Sequence, residues 1–182
     1  MMKVRCFYTF SGSKIAKLAR WATNGPWGHM GISFEKDDGS IDCFEARSDE
    51  GFVGPFPVQQ TAAYVDERGG YFEISKPLDL STAAVASIHA GTRRMVGNVT
   101  YSKMQLGLMF LAERYGIRLP PSPNKVVCSE AVARLLDPHV DLRDCDHSTF
   151  DVVSPNSAYW RMCEIQAGYN AGRVRFKASR RS

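Results

Sequence analysis

The spacing of apolar residues changes once along this chain, and that change limits the fold more than any other feature. In the N-terminal part the spacing is two. Val4, Cys6, Tyr8 and Phe10 alternate in "KVRCFYTF", and Met30, Ile32 and Phe34 alternate in "HMGISF". A period of two is the mark of a half-buried strand. "IDCFEA" and "YFEIS" read as further strands, and Asp38-Gly39 in "EKDDGS" is a hairpin turn signal. One short helix, "SGSKIAKLARWATNG", interrupts them, with serines to cap it and Gly25 to stop it. From Leu80 onward the spacing becomes helical. Leu80, Ala84, Ile88 and Met95 form one stripe ending at Gly97, and Met104, Leu108, Leu111 and Tyr115 form another ending at Gly116. Pro120, Pro121 and Pro123 cannot lie inside a helix, so a third begins between Val126 and Cys128. The stretch from Asp137 to Trp160 reads as loop with short turns. The expectation is an α+β fold, an antiparallel sheet packed against helices.

A chain of 182 residues, 44% apolar and 23% charged, suits one soluble domain able to bury a core. The net charge of +4 is misleading as a guide to partners, because "RVRFKASRRS" carries Arg173, Arg175, Lys177, Arg180 and Arg181 and leaves the rest at −1. A solvated basic tail over residues 173–182 is expected, and specific nucleic-acid binding is not. "MMKVRCFYTF" has no uninterrupted apolar run of the secretory kind, and "LGLMFLA" is too short to cross a bilayer, so a cytoplasmic protein without a transmembrane segment is expected. Five cysteines without regular spacing argue against a disulfide framework.

Three residues carry chemistry. Cys128 follows a proline-rich loop and precedes "SEAVARLL", which puts its sulfur in the first turn of a helix. Unpaired N–H groups and the positive end of the helix dipole favour a thiolate there, and can hold an oxyanion. A buried small apolar residue is the competing reading. A thiolate nucleophile needs an imidazole for its proton, and the imidazole needs a polar group to orient it. His29 opens one strand and Glu45 lies near the end of the next. Pairing through the Asp38-Gly39 hairpin would bring both to the same open end. His89, set among alanines, is expected at the surface, and Cys6 and Cys43 in the packing. Around His139, Asp144, Cys145, Asp146 and His147 the paired spacings of a structural zinc site are missing, so no metal is expected.

Taken together, "FSGSKIAKLARWATNGPWGHMGISF", "CFEARSDEGFVG" and "VVCSEAVARLL" resemble the circularly permuted branch of the NlpC-type papain-like cysteine hydrolases, the YiiX/YebB-like group related to lecithin:retinol acyltransferase. The resemblance spans roughly residues 5 to 136, and "DVVSPNSAYW" is similar to the segment that closes these domains. It implies a permuted papain-like catalytic domain over residues 1–172, with Cys128 as nucleophile, His29 as base and Glu45 as the third polar residue. It also implies a tyrosine near the thiol, here Tyr101, as an oxyanion or substrate contact. Trp27, beside the histidine, either walls the cleft or lids the core. Gly28 stands where the family often has serine, Phe52-Val53 where a plain "GV" is common, and Ser102 follows Tyr101 in place of an acid.

The chemistry so implied is cleavage of an amide by a Cys-His-Glu triad through a covalent acyl-enzyme, with no metal or organic cofactor. A peptide or peptidoglycan fragment is the expected substrate. Acyl-lipid hydrolysis or transfer is the alternative on the same residues, favoured if apolar side chains ring the cleft. A non-catalytic binding module with a basic tail is the reading of a different class. The sequence leaves the oligomeric state open.

Overall fold

In the computed structural model, which describes residues 1–12, 14–23, 25–115, 125–142 and 153–168, the alternating part of the chain forms one five-stranded antiparallel sheet. Its strands are β1 (Lys3–Phe10), β2 (His29–Glu35), β3 (Ile41–Arg47), β4 (Gly51–Pro57) and β5 (Tyr71–Ile74), in the order β4-β3-β2-β1-β5. The period-two residues set the faces. Val4, Cys6, Tyr8, Met30, Ile32, Phe34, Phe44 and Phe52 point into the main core. β1 and β2 pair with Cys6 opposite Ile32 and Tyr8 opposite Met30, which keeps both apolar rows on one side.

The helices are α1 (Lys14–Thr23), α2 (Val58–Asp66), α3 (Thr82–Met95), α4 (Lys103–Tyr115), α5 (Cys128–Leu136) and α6 (Pro155–Gly168). α5 lies on β2 and β3, α3 and α6 pack against α5, and α1 packs against α4. α5 is buried almost all round, with Cys128, Ala131, Val132, Leu135 and Leu136 in the core. α3 starts where the Ser81 hydroxyl accepts from the Ala84 N–H at 3.2 Å, and it buries Ala84, Val85, Ile88 and Thr92. A short parallel pair, β6 (Thr100–Tyr101) with β7 (Lys125–Val126), joins the two halves beside α5.

Three expectations need correction. The segment read as loop from Asp137 to Trp160 contains the start of α6, whose first turn is opened by Pro155, a residue suited to that position. β4 and α2 lie in a stretch whose Gly, Pro and polar content hid them. In α4 three members of the expected stripe, Met104, Leu111 and Tyr115, face outward and Leu108 is half-buried, and the helix buries Gln105 and Met109 instead. The basic tail, the Gly116 stop, the prolines at 120, 121 and 123, and the acidic cluster at 144–147 lie outside the described residues. No described helix is long and apolar enough to cross a membrane.

Candidate active site

The pairing of β6 with β7 sets Tyr101 opposite Val126, two residues before Cys128, and the Ser102 N–H donates to the Val126 carbonyl at 3.0 Å. The chain then passes through an extended Val127 and enters α5 at Cys128. Val127 offers no capping oxygen. Its own N–H is satisfied instead by the fully buried Glu130 carboxylate at 3.2 Å, and Glu130 is ion-paired with Arg134 one turn on. The first turn of α5 is thereby fixed without a side chain covering its N–H groups. The backbone N–H groups of Ser129 and Met30 lie near enough to the Cys128 sulfur to favour its thiolate.

On the sheet, β2 and β3 pair with Gly31 opposite Glu45, so His29, two residues back along β2, lies diagonal to the carboxylate. His29 Nε2 and Glu45 Oε2 are 2.7 Å apart. That bond occupies one ring nitrogen and leaves the other free to interact with Cys128, and the thiol and the imidazole shift each other's titration. Gly31 permits this register. A Cβ there would meet the Phe7 ring at 2.3 Å and the Phe44 carbonyl at 2.5 Å.

The charges settle as a chain. Burial alone would push the Cys128 thiol up, but the His29 charge, its hydrogen bond and the two backbone N–H groups outweigh it and bring the thiol below its ordinary value. Burial pulls His29 down, while the thiolate and the Glu45 carboxylate push it up, to about 10. Glu45 is opposed by burial and favoured by His29 and Arg47, and is held at about 2. The shifts run in one sense, each favouring the charged form of its group: thiolate, imidazolium and carboxylate.

Two side chains without a motif of their own, Arg47 and Asn156, hold the site in place. Arg47 holds the far oxygen of Glu45, with Nε at 2.8 Å and a terminal nitrogen at 2.7 Å. Its guanidinium also lies over the rings of Phe56 and Tyr64, at 4.4 and 5.4 Å. An arginine two residues along a strand from a glutamate is a usable signal, since i and i+2 share a face. Asn156, in the first turn of α6, accepts from the Trp27 N–H at 2.9 Å and donates to the Trp27 carbonyl at 2.8 Å. It also bonds the Thr23 hydroxyl. It thus clamps the Gly-Pro-Trp loop that leads to His29, and Gly25 leaves room for it: a Cβ there would lie 2.2 Å from the Asn156 amide oxygen.

Tyr101 is half-buried near the sulfur. Burial and the charge of Cys128 both raise its hydroxyl pKa, so it keeps its proton at neutral pH. Trp27 is buried among the rings of Tyr8, Tyr71 and Tyr159, with centroids 5.2 to 5.6 Å away, and its described ring contacts are all within that cluster. His89 is half-buried edge-on to Phe34 at 4.8 Å. Cys6 and Cys43 are buried, and burial pushes both thiols up to about 12, the opposite of Cys128. Cys128 itself is 2% exposed, so its sulfur lies at the bottom of the site beneath the more open His29. Surface depressions along Lys17–Gly25 and between Leu80 and Ile165 do not reach it. Among the described residues, no three His, Cys, Asp or Glu side chains are grouped to hold a metal ion.

The fold and this site define a class: a mixed α+β protein with a five-stranded antiparallel sheet, in which a thiol at a helix N-terminus meets an imidazole and a carboxylate from two strands. Among solved structures, the chain is similar to the metalloprotein yiiX from Escherichia coli O157:H7, with 17% identity and a TM-score of 0.53. The likeness covers 75% of this chain and 64% of yiiX, so the chain spans less than two thirds of that protein's length. No family profile matches the sequence, and neither does any curated protein.

Proposed function

We propose that this protein is a thiol hydrolase on a circularly permuted papain-like scaffold, cleaving an amide bond of a peptide or peptidoglycan-type substrate. The observation that carries the reading is the ordered contact from Cys128 through His29 to Glu45, closed by the 2.7 Å Nε2–Oε2 bond. The Cys128 thiolate attacks the carbonyl carbon, and the C=O electrons move onto oxygen. The Cys128 N–H at the helix start and the protonated Tyr101 hydroxyl are the donors available to that oxyanion. Collapse of the intermediate breaks the C–N bond, and His29 gives its proton to the departing amine. Water then attacks the thioester as His29 takes one of its protons; the acid leaves and the thiol returns to its starting state. Glu45 holds the ring orientation and the imidazolium charge.

An acyl ester is the second reading, favoured by the exposed Trp21 and Met104 on the two helices that adjoin the site. The description of yiiX as a metalloprotein does not carry over to these residues. Both Glu45 oxygens are committed, one to Arg47 and one to His29. The test is trapping. Incubation with a panel of amide and ester substrates, followed by mass spectrometry of intact protein, should show an acyl adduct on Cys128 that Cys128→Ala abolishes. His29→Ala should accumulate none. An unmodified Cys128 across the panel, with reactivity to iodoacetamide no greater than that of Cys163, would leave a scaffold without chemistry.

A further inference from the structure

Most of the apolar stripe of α4 stands outside the core. Met104 is 72% exposed, Leu111 46% and Tyr115 68%, whereas the same helix buries the polar Gln105. Its neighbour α1 is built in the same inverted way. α1 packs through the small residues Ala16, Ala19 and Ala22, while Leu18 and Trp21 stand 50% and 61% exposed. Large apolar side chains turned outward on two adjacent helices mark a surface that meets something.

The charges beside them narrow what that is. Lys14, Lys17 and Arg20 are exposed on α1 and Lys103 is exposed at the start of α4. No acidic residue occurs from Gly12 to Pro26, and α4 carries one, Glu113 in its last turn, beside Arg114. Lys17, Arg20, Trp21 and Gly25 line a surface depression of about 390 Å³, giving two cations and an indole around one hollow. Leucine, methionine and tryptophan interleaved with lysine and arginine, with cations well in excess of acids, is the composition of an interfacial helix on an anionic bilayer. A second copy of the chain would set like charges against each other.

We propose that α1 and α4 form a docking face for an anionic lipid bilayer. Lys14, Lys17, Arg20 and Lys103 meet lipid phosphates, and Leu18, Trp21 and Met104 enter the headgroup–acyl boundary. The face adjoins the candidate site: Tyr101 ends two residues before α4 begins, and Val127, next to Cys128, packs in the same small cluster as Ala19 and Ala22. Docking itself needs no catalysis.

The experiment is sedimentation of the full-length protein with vesicles of equimolar phosphatidylcholine and phosphatidylglycerol, compared with pure phosphatidylcholine. Wild type should bind the anionic vesicles, less so in high salt, and the neutral ones weakly. A Leu18→Glu/Trp21→Ala variant, a Met104→Glu variant and a Lys17→Glu/Arg20→Glu variant should each lose on the order of tenfold in partitioning. All change exposed side chains, and circular dichroism and the thermal transition should match wild type. Cys128→Ala should bind as wild type does, which separates this surface from the hydrolase reading. Absence of wild-type binding overturns the proposal. So does binding unchanged in all three helix variants, which would assign it to the basic residues at 173–182, and so does a wild-type dimer that the same variants dissociate.

Discussion

Replacing Glu45 with glutamine is the most direct probe of the thiol–imidazole pair, because it removes one charge and almost no volume. The carboxylate is buried and 2.7 Å from His29 Nε2, so the bond to an imidazolium is charge-assisted. Such a bond contributes about 1.5–3 kcal/mol, and a neutral amide in its place keeps about 1 kcal/mol. The imidazolium therefore loses about 1–2 kcal/mol, which is roughly one pKa unit and about a 5- to 30-fold fall in its proton-binding constant. Glu45 raises His29, so its loss must lower it. The His29 midpoint should drop from about 10 by that amount. Imidazole NMR titration reads it directly, and the alkaline limb of the Cys128 iodoacetamide rate profile should move to lower pH by the same amount. A midpoint that does not move in a folded Glu45→Gln protein would refute the reasoning, since it would mean the carboxylate neither orients nor charges the ring.

Acid stability tests the other side of the same carboxylate. Glu45 is held at about 2, below its ordinary 4.5, so its contribution is present above about 4.5 and is lost as pH falls toward 2. The shift is worth roughly 3 kcal/mol, and urea unfolding on either side of that window should show Glu45→Gln losing less stability on acidification than wild type. Arg47→Ala, by removing a cation that lowers Glu45, should move the acid transition to higher pH. Arg47→Lys should restore part of it, because an ammonium keeps the charge but not the two-nitrogen grip; an unmoved transition would remove Arg47 from the site. Asn156→Ala leaves the Trp27 N–H and carbonyl without partners, and denaturant melts should show a loss of about 2–5 kcal/mol. Gly31→Ala drives a methyl into the Phe7 ring and the Phe44 carbonyl, with a cost of about 1–3 kcal/mol or more and a displaced Glu45 that lowers Cys128 labelling.

The change of hydrophobic period was enough to separate strands from helices, because side-chain direction repeats every two residues in one and every 3.6 in the other. It located β1, β2, β3 and β5, and it put Cys128 at a helix start because three prolines forbid anything earlier. It also named a histidine and a glutamate on strands that a hairpin would pair. What it could not supply was sidedness. Met104, Leu111 and Tyr115 have the spacing of a core stripe, yet the α1–α4 packing turns them outward and buries Gln105, and spacing alone carries no information about which neighbour a face meets. Arg47 and Asn156 were likewise invisible as site residues, since a guanidinium and an amide gain their meaning from the atoms placed against them. For Asn156 those atoms are more than a hundred positions away in the chain. Local pattern fixes which way each side chain leaves the backbone; only the folded arrangement decides what it finds there.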